Sequence, residues 1–385
     1  MWTMLYSLPL MVVVQEMSAR IGISSSCGLT GNIKKYYSKK LLFFISSLII
    51  ISNVFNIGAD VYGMAAAIEL ITPGSTLYWS FLIVVFILLV TIILPYKKII
   101  WVFKILALSL FAYVIAGLMT IDHWPSLLAN LFIPQIHMNR EGLLIIVAIF
   151  GTSLAPYMAF WQANEEAEEI KMRNKRNEKI LVCKFRMISQ KDINRTVRDT
   201  RIGMFLSNFI GFFVMALTTS LLFNAGTTNV ETVREIAEAL RPIAGEYAYL
   251  LFALGIIGSG LLAIPILAGS SAYVLSEIFN WNASLDKPFG KAKQFYIVMI
   301  ISTVLGLLIP YFGISPVKAL IWTSIIHGII MPFLIAVLLH MANNPAIVGP
   351  NINNTRTNYI AYITLIVATL VLITFGLAYT PLFNS

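Results

Sequence analysis

Ten long apolar stretches dominate the chain, at roughly residues 1–22, 41–70, 77–96, 99–121, 143–163, 202–224, 247–276, 294–313, 317–341 and 357–380. Most carry no charge through their middles. About 20 consecutive apolar residues suffice for a helix to cross the hydrocarbon core of a bilayer. The runs are continuous rather than alternating, which excludes a transmembrane β-barrel. The fold class is therefore an all-α polytopic membrane protein. Composition agrees. Of 385 residues, 58% are hydrophobic and 12% charged, about half the charge of a soluble chain. An ordinary cytosolic enzyme, a disulfide-stapled secreted domain and a disordered tail are excluded.

The basic residues orient the bundle. Of 27 Lys and Arg, 22 fall in alternate connections, chiefly 23–40, 96–104, 164–201, 276–294 and 342–356, and four on the opposite side. The positive-inside bias makes the first set cytoplasmic, so the first span runs from outside to inside. The opening MWTMLYSLPLMVVV has neither a basic n-region nor a cleavage site and reads as a span, not a signal peptide. A start on the far side without a signal leads to the expectation of an eleventh helix upstream. The alternative is a short uncharged N-terminus that crosses unaided. The connection 164–201 holds eleven basic and seven acidic residues and reads as a charged cytoplasmic loop with a helical start, its basic face suited to anionic lipid. It lacks the interleaved aromatics of a nucleic-acid platform. Cys27 and Cys183 are too far apart in sequence for a zinc motif and lie on the reducing side, so no disulfide is expected.

Chemistry concentrates in a few spans. The fifth reads IVAIFGTSLAPYMAFWQANEEAEE (146–169), with Gly151 and Pro156 at membrane depth beside Thr152 and Ser153. Proline removes a backbone donor and clashes with the carbonyl four residues back. Freed carbonyls are tolerated in lipid only where something satisfies them, and transporters use such broken helices at the bilayer midplane. A simple proline kink reads the same residues without a ligand. In the second span Asp60 lies deep among apolar residues, with Asn56 one turn earlier. An ionisable group there marks either a functional site or a polar pair with a neighbouring helix. Glu16 and Arg20 are four residues apart and read as a local structural pair. The seventh span, rich in Gly and Ala with Pro265, reads as close helix packing. The ninth carries Ser324 and His327 on neighbouring turns, the histidine serving either as a hydrogen-bonded structural group or as a ligand. His123, His137, His327 and His340 are too scattered for a zinc site, and no Ser–His–Asp spacing, Walker loop, GxGxxG or HExxH occurs. The chain does not read as an enzyme.

Through LMVVVQEMSARIG (10–22), NIGADVYGMAAAI (56–68), GTSLAPYMAFWQANEEAEE (151–169), GMFLSNFIGFF (203–213) and ALRPIAGEYAYLLFALGIIGSGLLAIPILAGSSAY (239–273), the chain resembles the Nramp family of divalent-metal transporters, in its divergent bacterial branch. The resemblance implies a LeuT-like fold of two inverted five-helix repeats with an additional helix. It also implies location in a bacterial inner membrane and secondary transport, with the metal as substrate rather than cofactor. The ten spans match the second to eleventh helices of such a fold. By the same resemblance the metal contacts are Thr152, Ala155, Ser324, His327 and Asn208, with Asp60, Asn56 and Tyr157 as proton or cavity residues and Gly151 and Pro156 at the helix break.

The residues depart from the family pattern in instructive ways. Where the family carries Met-Pro-His, this chain has Ala155, Pro156 and Tyr157. Loss of the soft thioether leaves oxygen donors, which suit magnesium or manganese. The acidic partner three residues after Asp60 is replaced by Gly63, so Asp60 stands nearly alone as a proton carrier for symport. The expected function is divalent-cation transport. Its competitors are a non-transporting remnant that lacks the family's first helix and a LeuT-like amino-acid transporter.

Overall fold

The computed structural model describes residues 1–94, 101–102, 105–108, 110–121, 124–136, 139–173, 183, 188–220, 235 and 248–377. The described residues are helical apart from short connections. In chain order the helices are α1 (Trp2–Ser25), α2 (Leu29–Tyr36), α3 (Lys39–Glu69), α4 (Thr76–Ile93), α5 (Phe111–Thr120), α6 (Trp124–Phe132), α7 (Arg140–Leu154), α8 (Pro156–Arg173), α9 (Gln190–Thr218), α10 (Ala248–Phe279), α11 (Lys293–Leu308), α12 (Pro316–Ala342) and α13 (Thr355–Leu377), with a single helical turn at Pro345–Val348.

Local chemistry sets where several of them begin. The side chains of Ser38, Ser75, Asn139, Ser189 and Ser315 each accept from a backbone N–H in the first turn that follows. That satisfies donors which a helix start leaves without partners. Pro316 then occupies the first position of α12, where its missing N–H costs nothing.

Eight helices among the described residues are long and apolar enough to cross a membrane, or nine if the pair Ile105–Met119 and Trp124–Phe132, bent by 116°, is one span. The count of ten expected from hydropathy is not reproduced. α1 is not among the eight, since its 24 residues include Gln15, Glu16, Arg20 and four serines. The expected span 99–121 falls partly outside the described residues, as do His123, His137 and most of 174–187. The connection 164–201 is helical at both ends, because α8 runs on to Arg173 and α9 begins at Gln190.

Two apolar cores organise the bundle. One gathers Met17 and Ile21 of α1, Ile45 and Ile49 of α3, Phe160 of α8 and Ile330 and Leu334 of α12. The other gathers Ile57 and Val61 of α3, Ile83 and Ile87 of α4, Ile264 and Leu267 of α10 and Phe295 and Met299 of α11. α3 therefore passes from one core to the other between Ile49 and Ile57. α10 does the same between Tyr273 and Val274. α8 serves both, giving Ala159, Phe160 and Ala163 to the first and Tyr157 and Trp161 to the second. Small residues permit these approaches. A Cβ at Gly260 would strike Met64, and one at Gly269 would strike Trp161.

Against the expectation of free thiols, Cys27 and Cys183 form a disulfide, with their Cα atoms 5.0 Å apart. A reducing compartment disfavours the bond, but the fold brings the two cysteines together. Cys27 is buried at the corner between α1 and α2, and Lys35 holds residue 183 against that corner by donating from Nζ to its carbonyl at 2.7 Å.

Candidate cation-binding site

The fifth span is two helices. α7 ends at Leu154, Ala155 adopts φ 34° and ψ 83°, and α8 begins at Pro156. Ala155 still donates to the Gly151 carbonyl at 3.1 Å, and its own carbonyl accepts from Met158 at 3.0 Å. Pro156 has no N–H to return, so the oxygen deprived of its helical donor is the carbonyl of Thr152, four residues back. The left-handed conformation costs an alanine about 1–2 kcal/mol, which the packing around the break must offset.

Gly151 acts on packing rather than on the break itself. A Cβ there would land on the Ser324 carbonyl, so only glycine lets α7 and α12 meet at this level. Gly328 gives α12 the matching approach to Val147. The contact brings Thr152 Oγ1 to 2.6 Å from Ser324 Oγ. Ser324 Oγ donates its one hydrogen to the Leu320 carbonyl at 2.7 Å. Thr152 is therefore the donor between the two hydroxyls. Its hydroxyl oxygen keeps its lone pairs, as does its carbonyl.

One turn along α12, the buried His327 lies 3.1 Å through Nε2 from Ser52 Oγ of α3. Ser52 Oγ gives its hydrogen to the Ile49 carbonyl at 2.9 Å. His327 is then the donor through Nε2, which fixes the tautomer and leaves Nδ1 as an acceptor. Its ring faces Tyr157 of α8, with centroids 5.7 Å apart. Asp60 is within electrostatic reach of the Tyr157 hydroxyl. Among the described residues nothing pairs with Asp60 by hydrogen bond or ion pair, although it is only partly exposed. A carboxylate at that depth without a cation partner is costly.

The polar groups lie where α3 and α10 change cores. Asn53 donates to the Leu267 carbonyl at 3.1 Å and to Ser271 Oγ at 3.0 Å, while its Oδ1 is buried with no donor among the described residues. Ser270 Oγ donates to the Tyr157 carbonyl at 3.2 Å. Thr152 and Ser324 meet by hydroxyl contact, and one turn along α12 His327 faces Tyr157, with Asp60 in electrostatic range of that tyrosine; these residues define the seam, and Asn56 is on the same face of α3 one turn from Asp60. Asn208 stands apart from it. Its Nδ2 meets Met11 Sδ at 3.5 Å, and α9 packs on α1 and α5. The Ala155 carbonyl is already engaged by Met158. Sequence reasoning passed over Ser52, Asn53, Ser270 and Ser271. The signal was present in α3, where residues 52, 53, 56 and 60 recur at helical spacing on one face.

The donors at the seam are hydroxyls, backbone carbonyls, an imidazole and a single carboxylate. Among the described residues no group of three or more His, Cys, Asp or Glu converges. Met158 packs into the first apolar core and offers no thioether to the seam. Such a set suits a hard or borderline dication that keeps some of its water.

The model of the family described as "Natural resistance-associated macrophage protein-like" (Nramp) matches residues 1–378. The divalent metal cation transporter MntH of Caldanaerobacter subterraneus subsp. tengcongensis is 20% identical over 346 residues, covering 89% of this chain and 77% of that protein. Among solved structures, the Eremococcus coleocola manganese transporter superposes with a TM-score of 0.73 at 18% identity, over 100% of this chain and 81% of that one. MhsT in complex with L-phenylalanine superposes with a TM-score of 0.57 at 13% identity, over 96% and 89%. These likenesses fix the fold as the all-α, LeuT-like architecture expected from the sequence.

Proposed function

The chain belongs to the Nramp family, and from that premise we propose that it is a multi-pass protein of the bacterial inner membrane that carries divalent metal cations as a secondary transporter. The observation that carries the reading is the broken span α7–α8. It leaves the Thr152 carbonyl and hydroxyl oxygens at the contact with Ser324, in a seam that also holds Asp60, which has no partner among the described residues. A dication supplies the positive charge that Asp60 lacks and the acceptor-directed ligand that the proline leaves wanting. Rocking of one helical group against the other about the seam would expose it to each side in turn. The two apolar cores that meet there are the natural rigid parts of such a motion.

The donor set favours manganese or magnesium over softer metals, since Ala155 and the position of Met158 leave the seam without sulfur. Asp60 sets the potential of the seam and carries a proton when no metal is bound. Flux into proteoliposomes tests the reading. Manganese or magnesium uptake that saturates, with no uptake of amino acids, is the expected result. Uptake of an amino acid without metal flux would transfer the chain to the other chemistry hosted by this fold.

A further inference from the structure

A second polar site lies away from the seam, at the Lys- and Arg-rich end of the bundle that the charge bias places in the cytoplasm. A cavity of about 440 Å³ opens there between α1, the first turns of α9 and the stretch that precedes α13. The charged residues lining it are Glu16, Arg20, Arg198 and Arg201, which leaves two positive charges in excess. Its volume is within the usual range for a small-molecule site.

Glu16 is saturated. One of its oxygens accepts from Arg20 Nη2 at 3.0 Å and from Thr357 Oγ1 at 3.4 Å. The other accepts from Arg201 Nε at 3.0 Å and Nη2 at 2.7 Å. The arginines are not saturated. Arg20 is 8% exposed, its Nη1 reaches the Asn351 carbonyl only at 3.4 Å, and its buried Nε has no acceptor among the described residues. Arg198 meets Asp199 at 3.6 Å with both side chains largely in solvent, a pairing of little energetic weight. A buried guanidinium with a donor unspent is expensive. The Arg20 Nε is closed off from the cavity, so the donors available to a ligand are those of Arg198 and Arg201 on its wall, and the ligand they fit is an acceptor with several oxygens and negative charge.

We propose that this cavity binds a phosphate group. Guanidinium forks match its tetrahedral oxygens, and Asn194 on the cavity wall supplies an amide group. The phosphate comes either from an anionic phospholipid of the cytoplasmic leaflet or from a soluble phosphate. On the adjoining surface of α9, Lys191 and Arg195 stand beside Asp192 and Asp199, so the excess positive charge belongs to the cavity itself.

The test uses the full chain purified in a neutral detergent. One arm titrates inorganic phosphate calorimetrically. The other counts phosphatidylglycerol retained per chain by native mass spectrometry after delipidation, with phosphatidylcholine as the control. Saturable binding of one equivalent in either arm, weakened at least tenfold by Arg198→Gln and less than twofold by Lys191→Gln, supports the site and identifies its source. Arg198 is exposed, so its variant keeps the fold, and an unchanged melting temperature in the absence of ligand verifies this. Binding of neither probe, undiminished binding in Arg198→Gln, or an equal loss in Lys191→Gln would overturn the proposal. In the last case the basic surface of α9, not the cavity, attracts the anion.

Discussion

Two carboxylates in this bundle meet opposite fates. Glu16 on α1 is 2% exposed and accepts from two arginines and a threonine. Asp60 on α3 lies at the seam between the two apolar cores and, among the described residues, makes no hydrogen bond or ion pair. The first has its charge neutralised within the protein and so belongs to the scaffold. The second leaves its charge open to a mobile cation. A buried ion pair is expensive to break and contributes little to function, whereas an intramembrane carboxylate without a partner has a cost that only a ligand or a proton can offset.

Breaking the paired carboxylate should give the largest effect. Glu16→Ala leaves Arg20 buried beside no anion and should destabilise the protein by about 3–5 kcal/mol, read as a lower melting temperature or loss of monodisperse protein in detergent. Packing at the seam comes next. Gly151→Val places branched carbon on the Ser324 carbonyl, forces α7 from α12 and should cost about 1–3 kcal/mol, with manganese flux lost along with the Thr152–Ser324 contact. Asp60→Asn should invert the pattern of Glu16→Ala. Flux should fall at least tenfold while the melting temperature stays level or rises, because the asparagine removes an uncompensated charge. A fall in stability without loss of flux would show that Asp60 is structural and that the contrast with Glu16 is mistaken. The smallest effect is expected at the break. Ala155→Gly relieves a positive φ that glycine adopts freely and should stabilise the chain by up to about 1 kcal/mol, measured as a small rise in melting temperature with the break preserved.

What could be read from the sequence was what depends on neighbours along the chain. The apolar spans, the interruption at Pro156 and the Glu16–Arg20 pair are local patterns, and each has its counterpart in the structure. Of the ten spans expected, eight helices among the described residues are long and apolar enough to cross, or nine with the bent pair Ile105–Met119 and Trp124–Phe132, and α1 falls short through its polar residues. The parts that escaped are set by contacts between distant residues. Arg201 reaches Glu16 across 185 positions, and Cys183 meets Cys27 across 156. Asn53 finds Ser271 across 218. No local period announces that α3 changes cores between Ile49 and Ile57, and that crossing is what turns four polar residues on one face into a seam. Asn208 shows the converse. It sits in a stretch resembling the family, yet the fold directs it to Met11 rather than to the broken span.

The central claim is that the seam holds a dication through Asp60 and the oxygens at the break. Electron paramagnetic resonance of manganese titrated into the purified protein tests it most directly, since free and bound Mn²⁺ give distinct signals. The account predicts one bound ion per chain in the wild type and at least tenfold weaker binding in Asp60→Asn, with Glu16→Gln variants that remain folded binding as the wild type does. Manganese bound equally well by the wild type and Asp60→Asn would contradict it.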